Sequence, residues 1–361
     1  MEMEMEGEVK KLVVVWATVV ASLLGSHQMS RLMAPGVKRL CAFLPILCLF
    51  FYLPLILTSV HFTGTTSFFI TWLSTFKLIL FAFDKGPLYS SDPPLPISRF
   101  ILTATLPIKI KTKTKTKTKS SSSSSHKPPN TIIIINYSLK FFLFLLLLKL
   151  YGHPLHPLLK MALFCLHIYV VLDLGLALVA YAVRTILGFD LEPHFNEPYL
   201  ATSLQDFWGN RWNLMVKAIL HPTVYIPVRS LSGRFLPKNL APFPAVVASF
   251  VVSGLMHELI FYYIGRLKPT WEVTWFFVIH GVLSGAEVVV KKAMGGRFRV
   301  PGVVSGAVTL SLVMGSSFWL FFPPFLRADT EVRSCKEFVA FMELVLRGRF
   351  VAPNHVSCPY F

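Results

Sequence analysis

"VVSGLMHELIFYY", residues 251–263, sets a histidine and a glutamate side by side inside an apolar run. The run begins near residue 240, so it is long enough to cross a bilayer, which takes about 20 residues of helix. An ionisable residue in such a span is costly and marks a functional site unless a partner accounts for it. Gly254 and Ser253 lie three and four residues before His257, on the same helical face. Their small side chains leave room for a substrate or another helix. A histidine held neutral there can take a proton from a hydroxyl, which is general-base work. The competing structural reading has His257 hydrogen-bonding a carbonyl across a helix bundle. A zinc-peptidase reading of "HELIF" fails, because HExxH needs a second histidine where Phe261 stands. Glu258 lies about 100° round the helix from His257, so pairing with a neighbouring span is expected of it rather than a relay.

The rest of the chain is built like this stretch. It has 361 residues, 54% of them hydrophobic and 15% charged, against about 25% charged in soluble domains. Apolar runs fall at roughly 12–29, 40–60, 67–83, 132–151, 160–187, 240–264, 271–290 and 301–322. The fifth is long enough to suggest a bend or break near Gly175. The run at 97–108 is too short to span and reads as interfacial. These runs divide the chain into N-terminal spans (1–108), a low-complexity loop (109–131), a membrane core (132–322) and a C-terminal tail (323–361).

Net charge is +17, but the basic residues sit in the short connections between apolar runs, as membrane topology requires. No nucleic-acid-binding motif accompanies them, so nucleic acid is not an expected partner. Connections one, three, five and seven are rich in lysine and arginine, whereas two and six are poor. The odd connections therefore read as cytosolic and both termini as lumenal. A basic tail, with Arg327, Arg333, Lys336, Arg347 and Arg349, argues the other way. The tract from Lys109 to Lys119 largely alternates lysine with threonine and is followed by serines. It cannot bury apolar surface and is expected to be disordered. The N-terminus is acidic ahead of its apolar run, unlike a cleaved signal peptide. None of the five cysteines forms a CxxC pair, and Cys335 and Cys358 can pair only if the tail faces an oxidising lumen.

The ionisable residues within spans that stand out as site candidates are His167, Asp173, His257, Glu258, His280 and Glu287. A second constellation fills the long fifth connection, 192–230. It holds Phe207, Trp208 and Trp212, the basic residues Arg211, Lys217 and Arg229, and the amides Asn210 and Asn213. Aromatic, basic and amide groups beside a membrane suit an amphipathic ligand with phosphates. Tryptophan also collects at membrane interfaces for its own reasons, but an aromatic belt does not explain Asp206 and Asn213 among the rings.

"SLQDFWGNRWN" followed some forty residues later by "SGLMHEL" resembles the paired signature of the membrane-bound O-acyltransferase superfamily. "GEVKKLVVVWATVVASL", "GTTSFFITWLSTFKLILFAFDKGPL" and "LPIKI" are similar to its plant wax synthase branch, the long-chain-alcohol O-fatty-acyltransferases. "GSHQMSRLMAPG" and the 111–135 segment depart from that branch without touching the signature. The resemblance implies an all-α polytopic protein, about eight transmembrane helices enclosing an intramembrane catalytic chamber. It implies an enzyme that moves a fatty acyl group from acyl-CoA to a long-chain fatty alcohol, giving a wax ester. His257 and Asn213 fall on the family's catalytic positions, with His257 as base and Asn213 either orienting it or donating to the oxyanion. Trp208, Arg211, Trp212, Lys217 and Arg229 would meet the substrates. Acyl-CoA is a co-substrate, and no metal or other cofactor is expected. The partners are then acyl-CoA, a fatty alcohol or sterol acceptor, and the bilayer, with the endoplasmic reticulum the simplest location. The alternative acceptor is a sterol or a diacylglycerol. A transporter using His257 and Glu258 would show internal repeats or paired half-length spans, and none is evident.

Overall fold

The first three apolar runs form helices that pack by their branched and aromatic faces. The computed structural model describes residues 2–90, 95–107, 130–188, 191–295, 301–349 and 351–359. Helix α1 spans Glu2–Leu32 and α2 spans Val37–Tyr52. The third span begins at Val60, earlier than the sequence suggests, as α3 (Val60–Thr66). It widens into a π-helical stretch, Ser67–Ser74, and continues as α4 (Thr75–Ala82). Hydroxyls drive that widening: Ser74 and Thr75 donate five residues back, to Phe69 O and Ile70 O, at 2.9 and 3.1 Å. Helix α5, Ile97–Thr105, buries one face against the neighbouring spans. Phe100 and Ala104 pack into the core formed by Val15, Val19, Phe43, Phe50 and Leu78. Lys77, fully buried, donates to the terminal carbonyls of α5 at Thr103 (2.6 Å) and Leu106 (2.7 Å). A helix C-terminus carries partial negative charge, so this lysine is α5's cap.

Two units emerge: Met1–Pro107 with Asn196–Cys358, and Ile108–Phe195 with Pro359–Phe361. The second unit is the helix pair α6 (Asn130–Tyr151) and α7 (Pro157–Leu187). Helix α7 runs unbroken past Gly175, contrary to the bend expected there, with no proline inside it. Asp173 is accounted for by Lys140, whose Nζ lies 2.5 Å from its carboxylate. His167 lies in ring contact with Phe144 and Tyr151. The expected disordered loop 109–131 lies outside the described residues but for its last two.

The remainder of the first unit holds short helices α8 (Leu204–Asp206), α9 (Leu214–Leu220) and α10 (Ile226–Ser232). Long helices α11 (Pro242–Gly265) and α12 (Glu272–Met294) follow. Then come α13 (Gly302–Ser316), α14 (Phe322–Leu326) and α15 (Thr330–Arg347). Glycines set the spacing of the α11–α12 hairpin: a β-carbon at Gly281 would stand 2.7 Å from Phe250 Cβ. Among the described residues, eight helical segments are long and apolar enough to cross a membrane, and they coincide with the eight expected.

At one end of this unit the connection between spans two and three is tied down by charge. Glu8 accepts from the Thr58 N–H at 2.5 Å, and Glu337 of α15 accepts from the Val60 N–H at 2.7 Å. Arg266 donates to Leu57 O at 2.8 Å and Arg333 to Thr58 O at 3.1 Å. Burial pushes the Glu337 carboxyl up, but hydrogen bonds from His61, Val60 and Ser59 outweigh it and hold the group below its usual range. A disulfide joins Cys335 to Cys358 beside this knot. Disulfides persist in oxidising compartments, as the expected lumenal side of the tail would provide. Three of the tail's basic residues are engaged within the protein: Arg333 holds carbonyls, Arg327 pairs with Glu272, and Arg347 pairs with Glu343.

Candidate active site

The chain enters the site at "SLQDFWGNRWN". Ser203 caps α8, after which Phe207–Arg211 forms a π-helical turn closed by the Trp212 N–H on Phe207 O at 2.8 Å. Asn213 follows with φ 40°, the left-handed region that asparagine tolerates better than most residues. Its Oδ1 accepts from the Val216 N–H at 3.2 Å and caps α9. The turn is locked by Asp206, which lies 2.6 Å from Arg211 Nε and accepts from Asn210 at 3.2 Å. Partial burial pushes the Asp206 carboxyl up, but Arg211, Asn210 and the Thr202 N–H outweigh it and hold it below the usual carboxylate range. The lock is therefore present above that range and lost only as the pH falls into acid.

A cavity of about 480 Å³ runs between this turn and the α11–α12 hairpin. It is lined by Trp208, Trp212, Asn213, Lys217, Arg229 and His257 among others. The structure thus brings together six of the seven site residues singled out in the sequence. Arg211 does not line it; its guanidinium is taken up by Asp206 and by the Asn196 and Glu197 carbonyls. Among the described residues, the cavity-lining cations are Lys217, Arg229 and Lys292, and no carboxylate lines it. Lys217 also donates to Gly209 O, and Arg229 lies over the Tyr225 ring.

His257 lies deep in this cavity. Its ring stacks on Phe277 (centroids 4.3 Å apart) and meets Trp72 edge-on at 5.0 Å. Nδ1 lies 2.8 Å from Ser253 O. A carbonyl only accepts, so Nδ1 carries the proton. In the neutral ring the lone pair is then at Nε2, which has no partner among the described residues. Asn213 presents a complementary situation: its oxygen is engaged in the cap, and its amide N–H groups are left for the cavity.

The other ionisable residues of these spans are accounted for. Glu258 is 5% exposed and turns away from the cavity. It accepts from the Trp271 N–H at 2.9 Å and the Thr274 N–H at 3.2 Å, capping the start of α12. His280, fully buried, accepts at Nδ1 from Trp208 Nε1 (3.1 Å) and donates at Nε2 to Ser316 Oγ (2.8 Å). It holds the Trp208 indole in the cavity wall. Glu287 accepts from the Gln205 N–H at 3.0 Å and ties the turn to α12. Phe261, where a second zinc histidine would stand, packs on Phe321 and Phe325. Trp72, Phe277 and Lys292 line the site without having been singled out in the sequence. Lys292 carried a signal as a cation in a cytosolic connection, whereas Trp72 and Phe277 were indistinguishable from core aromatics.

A helical bundle with eight candidate spans thus carries a cavity lined by His257 and Asn213 together with the cations Lys217, Arg229 and Lys292. Residues 191–279 match the family described as "Membrane bound O-acyl transferase family". Acyl-CoA--sterol O-acyltransferase 1 of Arabidopsis thaliana is 43% identical over 90% of this chain and 93% of its own length. Probable long-chain-alcohol O-fatty-acyltransferase 1 of the same plant is 42% identical over 94% and 98%. The long-chain-alcohol O-fatty-acyltransferase of Simmondsia chinensis is 41% identical over 93% and 95%. The chain belongs to the membrane-bound O-acyltransferase family and is a multi-pass membrane enzyme.

Proposed function

We propose that this enzyme transfers a fatty acyl group from acyl-CoA to a long-chain alcohol, with His257 as the general base. The observation that carries the reading is the His257 tautomer: Nδ1–H is committed to Ser253 O, and Nε2 is left to a cavity that also holds Asn213. The alcohol oxygen attacks the thioester carbonyl carbon while Nε2 takes its proton. The developing oxyanion accepts from the Asn213 amide, which acts as a donor because its oxygen is engaged in capping. The intermediate collapses with cleavage of the carbon–sulfur bond, and the departing thiolate takes the proton back from Nε2. An ester and CoA–SH result, and no acyl-enzyme is needed. Lys217, Arg229 and Lys292 neutralise the CoA phosphates at the mouth, on the side that the basic odd connections mark as cytosolic. Trp208 and Trp212 wall the route inward. The endoplasmic reticulum suits an enzyme with an oxidised lumenal tail and a cytosolic acyl-CoA mouth.

A sterol acceptor is the second reading, favoured by the 43%-identical relative named for that substrate. One experiment separates the two and tests the base. Microsomes carrying wild type or His257→Ala receive labelled palmitoyl-CoA with hexadecanol, sterol or diacylglycerol. The expected result is wax ester from wild type and none from the variant, at equal membrane insertion. Steryl ester alone would overturn the acceptor, and wild-type ester formation by His257→Ala would overturn the base.

A further inference from the structure

We infer that Ser284 hydrogen-bonds an amide of the pantetheine arm of acyl-CoA, holding the donor between the basic mouth and His257. The inference rests on the O-acyltransferase reading above. Among the described residues, two cavity-lining side chains bury a polar atom that has no hydrogen-bond partner: Trp72 Nε1 and Ser284 Oγ. The Trp72 ring lies against His257 and belongs to the reacting centre. Ser284 stands elsewhere along the cavity; Thr63 and Thr103 are unpartnered as well, but of the three hydroxyls it alone lines the cavity. Serines and threonines in apolar helices commonly return their proton to the carbonyl one turn back. Thr18, Ser22, Ser249, Thr309 and Ser317 all do so. Ser284, only 3% exposed, does not. Buried polar groups are nearly always paired, and each exception calls for an account.

Its position supplies one. Phe277, Ser284, Val288 and Lys292 all line the cavity from α12, at intervals of seven, four and four that keep to one helical face. At 1.5 Å per residue, Ser284 stands about 10 Å along the axis from Phe277, on which His257 stacks, and about 12 Å from Lys292 at the mouth. It therefore sits midway between the base and a phosphate-binding cation. The arm of acyl-CoA that joins the thioester to the phosphates offers two secondary amides, with a pantoyl hydroxyl nearer the phosphates, and the amides are the groups nearer the thioester. A hydroxyl both donates and accepts, so it can serve an amide C=O or N–H. Rotation about one bond among staggered positions turns it to either.

Steady-state kinetics on the full-length protein in membranes tests this. Ser284→Ala should raise KM for palmitoyl-CoA about five- to tenfold, the effect of one buried hydrogen bond, with kcat within about twofold. Ki for free CoA should rise by the same factor. Ki for adenosine 3′,5′-bisphosphate, which lacks the arm, should not change. Ser284→Cys, close in size and a weaker donor, should fall between and serves if the alanine variant accumulates poorly. An unchanged KM, a fall in kcat alone, or equal rises in Ki for CoA and the bisphosphate would each assign Ser284 to packing and overturn the inference. Absence of ester formation by wild type from palmitoyl-CoA with any alcohol would instead sink the parent reading, whatever Ser284 does.

Discussion

At the scale of single residues, the adjacent pair His257 and Glu258 divides its work by helical angle. One residue of rotation carries His257 to the cavity and Glu258 to the far side, onto the first N–H groups of α12. Asn213 is the sharper case, because a capping oxygen and a donating amide share one side chain. Asn213→Asp keeps the capping oxygen and tolerates the left-handed backbone, but loses the donor. We expect kcat to fall about 100-fold or more, the usual cost of removing an oxyanion donor, with thermal stability close to wild type. Equal kcat for Asp and Asn at 213 would remove the donor role. The sequence made these residues visible as types but left open whether Asn213 orients His257. Orientation belongs to Ser253 O, a backbone group that no side-chain pattern advertises.

At the scale of elements, the α11–α12 hairpin carries the site, and its turn is stapled by Glu258. Glu258→Ala leaves the partly buried Trp271 and Thr274 N–H groups without this partner, at about 0.5–1.5 kcal/mol for each lost hydrogen bond. A lower melting temperature in detergent is expected, with KM of the surviving enzyme near wild type. A variant with normal stability but no turnover would give Glu258 a catalytic role instead. The span positions were legible from hydrophobicity because each run is apolar over a bilayer's thickness. The π-helical widenings at Ser67–Ser74 and Phe207–Arg211 were not. They depend on which carbonyl a hydroxyl or an N–H reaches, a choice of partner that leaves average hydropathy unchanged. Lys77 escaped notice for a related reason: its partners are the carbonyl ends of α5, and no acidic residue marks them.

For the molecule as a whole, the basic odd connections and the Cys335–Cys358 disulfide both point to a lumenal tail, which a glycosylation map tests. Acceptor sites for N-glycosylation placed at the tail should be modified, while the same sites in the loop 109–131 should not. The reverse pattern would invert the enzyme and put the CoA mouth on the wrong face. Because the disulfide closes 23 residues of chain, Cys335→Ser should cost about 3 kcal/mol. The loss should be read as earlier thermal unfolding, with the active-site KM values untouched.

The sequence by itself determined the class, the eight spans and the two motifs that meet at the cavity. Bilayer solvation leaves only long apolar helices as a solution, and an ionisable residue within one is conspicuous against that background. Tertiary structure alone decided which of the ionisable residues in the spans are taken up by partners. Asp173, Glu258, His280 and Glu287 look like His257 in a linear reading, and each is removed from candidacy by a partner far away or across a turn. Pairing is a matter of ångströms between elements, which hydropathy and spacing do not encode. His257 keeps one nitrogen unengaged at the cavity because the other is bonded to a carbonyl of its own helix.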